Sequence, residues 1–103
     1  MKRQKIDDGG WFDLEKAKRW DEDTHWNGNN HISNATGSQW EHERLYKTAK
    51  GVFVLNHWSQ WQGSGQSWAI VSASEAAEWL IQNGEDPSEA GTEVEKAAIA
   101  QEV

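Results

Sequence analysis

The sequence predicts one α+β domain, in which a small antiparallel sheet of three or four strands carries a helix on one face. Three patterns support this prediction: a β-hairpin over about residues 42–58, a strand over residues 67–71 and an amphipathic helix over about residues 73–83. The length of 103 residues is typical of one small domain. Eight tryptophans compensate for a hydrophobic content of 36%, because each indole buries a large apolar area.

The hairpin contains two segments rich in aromatic and β-branched residues, which favour strands. The connection Ala49–Gly51 fits a type I turn followed by a left-handed residue, a conformation that glycine adopts without a Cβ clash. The resulting register predicts a first face of Leu45, Phe53 and Leu55, and a second face of Tyr46, Val52, Val54 and Trp58. Both faces are apolar near the turn, so both are expected to be covered.

The helix over residues 73–83 is expected to cover the first face. Ser72 and Glu75 match a capping box, in which each side chain accepts a hydrogen bond from a free backbone amide, and Gly84 is a suitable left-handed stop. Trp79 is expected at the rim of the helix. The stripe predicted to face the sheet comprises Ala73, Ala76, Ala77, Leu80 and Ile81.

The N-terminal third is predicted to add a strand–turn–strand unit over residues 2–12 and a short helix over about residues 14–20. Asp13 is the expected N-cap of this helix, because its carboxylate can accept the free amides of a first turn. Residues 21–38 are polar and predict a long loop with one extended piece near residues 24–26. A loop of this length is unusual in a compact domain, so it either contains a further element or has a function.

The charge is concentrated near the C-terminus. The formal net charge is −7, and residues 85–103 contribute −5 of it, from six acidic residues and one lysine. Residues 1–84 therefore carry only −2 and are predicted to form the α+β domain. Residues 85–103 are predicted to be an acidic tail or a short helix.

The chain has no cysteine, so neither disulfides nor thiolate metal sites are available to it. No apolar run is long enough to cross a membrane, which takes about 18 residues. The N-terminal sequence MKRQKIDDGG has no apolar core of a signal peptide. We therefore expect a cytoplasmic protein.

Three segments carry motifs of a pattern seen elsewhere: DGGWFDLEKA at residues 8–17, ERLYKTAKGVFVL at residues 43–55 and SASEAAEWL at residues 72–80. Together they resemble a group of small bacterial proteins, many of phage or plasmid type, with an L-Y-[KR]-T-x-x-G-x-[FW]-[FV]-L hairpin and an S-x-x-E-A-x-x-W helix start. The resemblance implies an α+β architecture and an origin in a mobile element. It implies no activity, cofactor or site residue.

The most distinctive chemical feature is a tryptophan-rich and amide-rich stretch at the end of the hairpin. Indole faces stack on bases, sugars or apolar side chains, and amides give directional hydrogen bonds. The alternative is that Trp58 and Trp61 are core residues that close the open end of the sheet. The candidate binding surface comprises Trp58, Gln60, Trp61, Gln62, Trp26 and Trp40.

The histidines suggest a metal site only weakly. His25 and His31, with a carboxylate from Asp21 or Asp23, are one possible zinc site, and solvated loop histidines are the alternative. The prediction is therefore no metal, no cofactor and no catalytic residue.

These observations predict a non-enzymatic binding or accessory protein that meets a protein partner through a tryptophan-rich surface. Single-stranded nucleic-acid binding by tryptophan stacking is the alternative, and it requires a basic groove beside the rings. The acidic tail disfavours it. The residues able to supply such a groove, if the N-terminal segment folds beside the sheet, are Lys2, Arg3, Lys5, Lys16, Lys18 and Arg19.

Overall fold

The computed structural model describes residues 1–61 and 65–103. It confirms an α+β fold, whose main sheet has four antiparallel strands in the order β3-β6-β7-β8. Two further sheets, β1-β2 and β4-β5, have two strands each. The strands are β1 (Arg3–Lys5), β2 (Trp11–Asp13), β3 (Lys18–Asp21), β4 (Thr24–Trp26), β5 (His31–Ser33), β6 (Glu41–Lys47), β7 (Phe53–Ser59) and β8 (Ser67–Val71). The helices are α1 (Ala73–Gln82) and α2 (Thr92–Ala100), with a 3₁₀ helix at Pro87–Ala90 between them.

The predicted hairpin is strands β6 and β7, and its register is confirmed. Leu45 pairs with Leu55 and Glu43 pairs with His57. The turn closes with a hydrogen bond of 2.8 Å from the backbone amide of Thr48 to the carbonyl of Val52. Gly51 has a φ of 86°, a left-handed conformation that a side chain would strain.

Helix α1 covers the first face of the sheet, as predicted. The Ser72 hydroxyl accepts a hydrogen bond from the Glu75 amide at 3.1 Å, and the Glu75 carboxylate accepts one from the Ser72 amide at 3.3 Å, so the capping box is confirmed. Leu80 is fully buried in a cluster that includes Leu45. The predicted stripe is wrong at one edge, because Ile81 is exposed and Trp79 is buried in its place.

The segment after α1 also enters this core. Val94 of α2 and Ala90 of the 3₁₀ helix are buried in the same cluster as Leu80. The ammonium group of Lys47 donates a hydrogen bond of 2.7 Å to the carbonyl of Ala90, which ties this segment to strand β6. The residues predicted to be an acidic tail or a short helix thus contain a helix that packs against α1 and contributes Val94 to the shared core.

The predicted helix over residues 14–20 is wrong, because Lys18–Asp21 is strand β3 at the edge of the main sheet, paired with β6. Trp20 packs in the core under the helices, whereas Leu14 and Ala17 pack against the cluster on the opposite face of the sheet. A helix would place Leu14, Ala17 and Trp20 on the same side, because they are spaced by three residues. It could not then direct Trp20 to one face of the sheet and the other two to the opposite face.

Asp13 therefore caps a turn and not a helix. Its carboxylate accepts hydrogen bonds from the backbone amides of Lys2 and Glu15, each at 3.0 Å. The bond from the Lys2 amide is the main cause that lowers the pKa of Asp13. The aspartate joins the chain start to the end of strand β2.

The second face of the main sheet is covered at one end by the β1-β2 hairpin. Ile6 and Phe12 of this unit are buried against Tyr46 and Val54. The predicted long loop contains the β4-β5 hairpin, so the second of its strands was missed from the sequence. In the described part of the chain, no helix has both the length and the apolar character that crossing a membrane requires.

Candidate functional site

The far end of the β6-β7 hairpin carries a pair of exposed tryptophans. Trp40 and Trp61 are 42% and 61% exposed, and their ring centroids lie 5.2 Å apart at an angle of 41°. The backbone amide of Gln60 donates a hydrogen bond of 2.8 Å to the carbonyl of Trp40, which extends the strand pairing beyond Glu41 and Ser59. This continued pairing holds the two indoles together, and we call Trp40, Gln60 and Trp61 the hairpin-end surface.

Trp58 lies on strand β7, two residues before Gln60, and is half-buried. His42 is its direct partner on strand β6, with ring centroids 5.5 Å apart. The guanidinium carbon of Arg44 lies 4.5 Å from the indole centroid, a distance suited to a cation–π contact. Trp58 therefore supports its neighbours on the second face and presents less free ring surface than Trp61.

The other two predicted residues are not part of this cluster as the structure describes it. Trp26 is 60% exposed, but it lies on the separate β4-β5 sheet, where its ring contacts that of His31 at 5.2 Å. Gln62 lies outside the described residues. The structure thus brings together Trp40, Gln60 and Trp61, and places Trp26 on another hairpin.

A polar groove of about 670 Å³ opens on the second face, beside the N-terminal hairpin. It brings together cations from three parts of the chain, since Lys2 precedes β1, Arg19 lies on β3 and Arg44 lies on β6. Two of the six basic residues proposed from the sequence thus line it. The full lining is Lys2, Gln4, Leu14, Arg19, Arg44, Tyr46, Asn56, Gln66 and Trp68.

The positive charge of this groove is partly neutralised by Asp21, which contacts two of its arginines. A carboxylate oxygen of Asp21 lies 3.2 Å from Nε of Arg19 and 3.1 Å from Nε of Arg44. Tyr46 and Trp68 are also engaged, because both rings contact each other and Phe12 at centroid distances of 5.6 to 5.9 Å. The groove thus offers the guanidinium groups of Arg19 and Arg44, both partly paired. The ammonium group of Lys2 forms no ion pair within the described residues, and little aromatic surface is open to a ligand.

Carboxylates dominate the strands next to the hairpin-end surface. One carboxylate oxygen of Glu22 accepts a hydrogen bond of 2.6 Å from the Glu43 amide, and the other lies 2.7 Å from Nδ1 of His42. Glu41 adjoins Trp40 and lies 3.8 Å from Nε2 of the His57 ring. The surroundings of the exposed indoles are therefore more acidic than the groove.

The predicted histidine site can be compared directly with the structure. The ring of His25 contacts the side-chain oxygen of Asn34, and His31 packs against Trp26. Over residues 1–61 and 65–103, no group of three or more His, Cys, Asp or Glu side chains is arranged to hold a metal ion. The structure therefore does not bring these two histidines together with a carboxylate.

Sequence reasoning missed Arg44 and Asn56 as members of the groove. The signal was present in the period of two along a strand, which places Arg44 on the same face as Tyr46 and opposite Asn56. No protein-family model, curated protein or solved structure matches this chain significantly. The resemblance to small bacterial proteins stays a prediction.

Proposed function

We propose that this chain is a non-enzymatic binding or accessory protein, and that a protein partner docks on the hairpin-end surface. The observation that carries the proposal is the exposure of Trp40 and Trp61 as a pair of contacting, tilted rings on a paired backbone. Tryptophan is among the residues most enriched at interface hot spots, since it buries a large area at a low cost in side-chain entropy. The exposed Gln60, next to Trp61 in the chain, adds a side chain able to form directional hydrogen bonds.

A protein partner suits this surface better than a nucleic acid, because the neighbouring side chains are acidic. Glu41 directly follows Trp40, Glu43 lies two residues further along strand β6, and Glu22 accepts a hydrogen bond from the Glu43 amide. These carboxylates would repel phosphates, whereas a partner with apolar or basic side chains would not be repelled.

Single-stranded nucleic-acid binding is the second candidate, and the groove on the second face favours it. Lys2, Arg19 and Arg44 converge there beside Trp68, which is the arrangement of charge and ring that such binding needs. It ranks second because Asp21 already pairs with both arginines and because Trp68 is packed against Phe12. A location in the cytoplasm and an origin in a bacterial mobile element belong to the same proposal, supported by composition and by the motif resemblance.

The proposal is tested with peptides selected from a displayed random library on the wild-type protein. We expect their affinity to fall by about 30-fold or more in the Trp40→Ala/Trp61→Ala double variant, the loss typical of hot-spot residues. Trp11→Ala is the matched control, because Trp11 is also an exposed indole but lies on the N-terminal hairpin. An equal loss in both variants, or no loss in the double variant, would contradict the proposal.

The nucleic-acid candidate is tested in parallel by titrating an oligothymidylate while the tryptophan fluorescence is recorded. Binding that weakens with salt and is lost in the Arg19→Gln/Arg44→Gln variant would favour this candidate over the first. Absence of binding at low salt would remove it.

A further inference from the structure

The net charge of the molecule equals that of the segment that forms the helical layer. Residues 73–103, which form the helical layer, contain eight acidic residues and one lysine and so carry −7, while residues 1–72 contain nine acidic and nine basic residues and carry zero. The ion pairs found among residues 1–61 and 65–103 include none of the carboxylates of the helical layer. Lys18 and Lys47 reach this layer from the sheet, but their ammonium groups bond to the backbone carbonyls of Glu89 and Ala90 and, among the described residues, form no ion pair with a carboxylate there. A basic partner would lower the mutual repulsion of these carboxylates.

The helical layer also contains a groove of about 540 Å³ between α1, the 3₁₀ helix and α2. Its apolar lining includes Ile81 and Ile99, which are 50% and 65% exposed, and Pro87. Single exposed apolar residues are ordinary, but two isoleucines and a proline around one concave surface are typical of a binding site. Asp86, Glu95 and Glu102 line the same groove, so its apolar centre has an acidic border.

We infer that this groove binds an amphipathic basic segment of a partner protein, at a site separate from the hairpin-end surface. Apolar side chains of the segment pack between Ile81 and Ile99, and its lysines or arginines pair with Asp86, Glu95 and Glu102. A helix with an apolar stripe and basic flanks has this chemistry and a width suited to a groove between helices. Charge complementarity selects this occupant over a second copy of the chain, because two copies would bring the same acidic borders together.

The test uses three labelled synthetic peptides of about 18 residues, long enough for five helical turns. The first has leucine at helical spacing with lysine on its flanks, the second has glutamate in place of lysine, and the third has serine in place of leucine. We expect only the first to bind in a fluorescence anisotropy titration. Binding of the lysine–serine peptide with equal affinity would overturn the inference, because charge alone would then suffice. Failure of the first peptide to bind would also overturn it.

A double variant that removes charge from the groove, compared with a control double variant, tests where the peptide binds. Glu95→Gln/Glu102→Gln removes two charges from the groove, and Glu78→Gln/Glu93→Gln removes two charges from α1 and α2 that do not line it. We expect the groove variant to weaken binding by about tenfold, because its charges contact the peptide directly. We expect the control to weaken binding by less than about threefold, because its charges act only at a distance.

The apolar contribution is tested with Ile81→Ser/Ile99→Ser against Ile70→Ser, because Ile70 is similarly exposed but lies on strand β8. Loss of binding in the first variant alone is expected. Equal effects within either matched pair would overturn the inference, as would sedimentation showing that Ile81 and Ile99 hold a dimer of this chain. Trp40→Ala/Trp61→Ala should leave peptide binding unchanged, which separates this site from the hairpin-end surface.

Discussion

The indole Nε1 of Trp79 donates a hydrogen bond of 3.1 Å to the carboxylate of Glu43, and so joins helix α1 to strand β6. This contact explains why Trp79 is buried although its helical position suggested the rim. Burial raises the pKa of Glu43 above its usual value of 4.5, and the bond from Trp79 opposes that rise. The folded protein therefore holds a proton on this carboxyl at pH values where the unfolded chain has released it.

The stability that Glu43 contributes is present below its unfolded pKa and is lost as the pH rises through its higher folded pKa. Glu43→Gln keeps an oxygen that accepts the bond from Trp79 and removes the partly buried charge. We expect the variant to have a higher urea midpoint than wild type at pH 7, and this advantage to shrink towards pH 4. Glu78→Gln, at an exposed position of α1, is the control and should show no such trend. A variant less stable than wild type at pH 7 would contradict this reading.

Leu80 and Ile81 are neighbours on α1 with opposite environments, the first fully buried and the second half-exposed. Leu80→Ala should lower the free energy of unfolding by about 2–5 kcal/mol, because it removes buried methyl groups and leaves a cavity. Ile81→Ala should lower it by less than about 1 kcal/mol, as for a surface position. Urea denaturation followed by tryptophan fluorescence measures both, and equal losses would show that α1 is rotated on the sheet.

Val94 tests whether the acidic C-terminal segment is part of the core. It is fully buried on α2, whereas Ile99 on the same helix is exposed. Val94→Ala should cost about 2 kcal/mol of unfolding free energy from lost burial and a residual cavity. Ile99→Ala should cost less than about 0.5 kcal/mol. An unchanged urea midpoint for Val94→Ala would mean that α2 does not pack into the core in solution.

The capping box at the start of α1 supports a further prediction. Ser72→Ala removes the hydroxyl that accepts the Glu75 amide and should lower the unfolding free energy by about 1 kcal/mol. Ser74→Ala changes an exposed serine two residues later, in the first turn of α1, which is not the capping residue, and it serves as the control. Equal thermal midpoints for the two variants would argue against a working cap.

The elements that the sequence predicted well are those fixed by local chemistry. Gly51 specifies the turn and therefore the register of β6 and β7, and Ser72 with Glu75 specifies the start of α1. Strand β3 was missed because its partner is remote. Leu14 and Trp20 have helical spacing, but Trp20 is held on one face of the sheet by the pairing of β3 with β6, while Leu14 packs against the cluster on the other face.

The candidate surface was predictable only in part, because some of its contacts depend on parts of the chain that are far apart in sequence. Trp40 and Trp61 meet because the hairpin register brings their ends together, and that register was predictable. The groove on the second face depends on how the N-terminal hairpin docks, so the convergence of Lys2 with Arg44 could not be read from spacing. The groove between α1 and α2 was hidden because residues 85–103 resemble a solvated acidic tail.

The central claim is that a protein partner contacts Trp40 and Trp61. The most direct measurement records the eight indole N–H resonances by ¹H–¹⁵N NMR while a library-selected peptide is added. We predict that the resonances of Trp40 and Trp61 shift and saturate with the binding curve, while those of the buried Trp20 and Trp79 do not move. Saturated binding that leaves Trp40 and Trp61 unshifted, or that shifts only Trp68 in the basic groove, would contradict the claim.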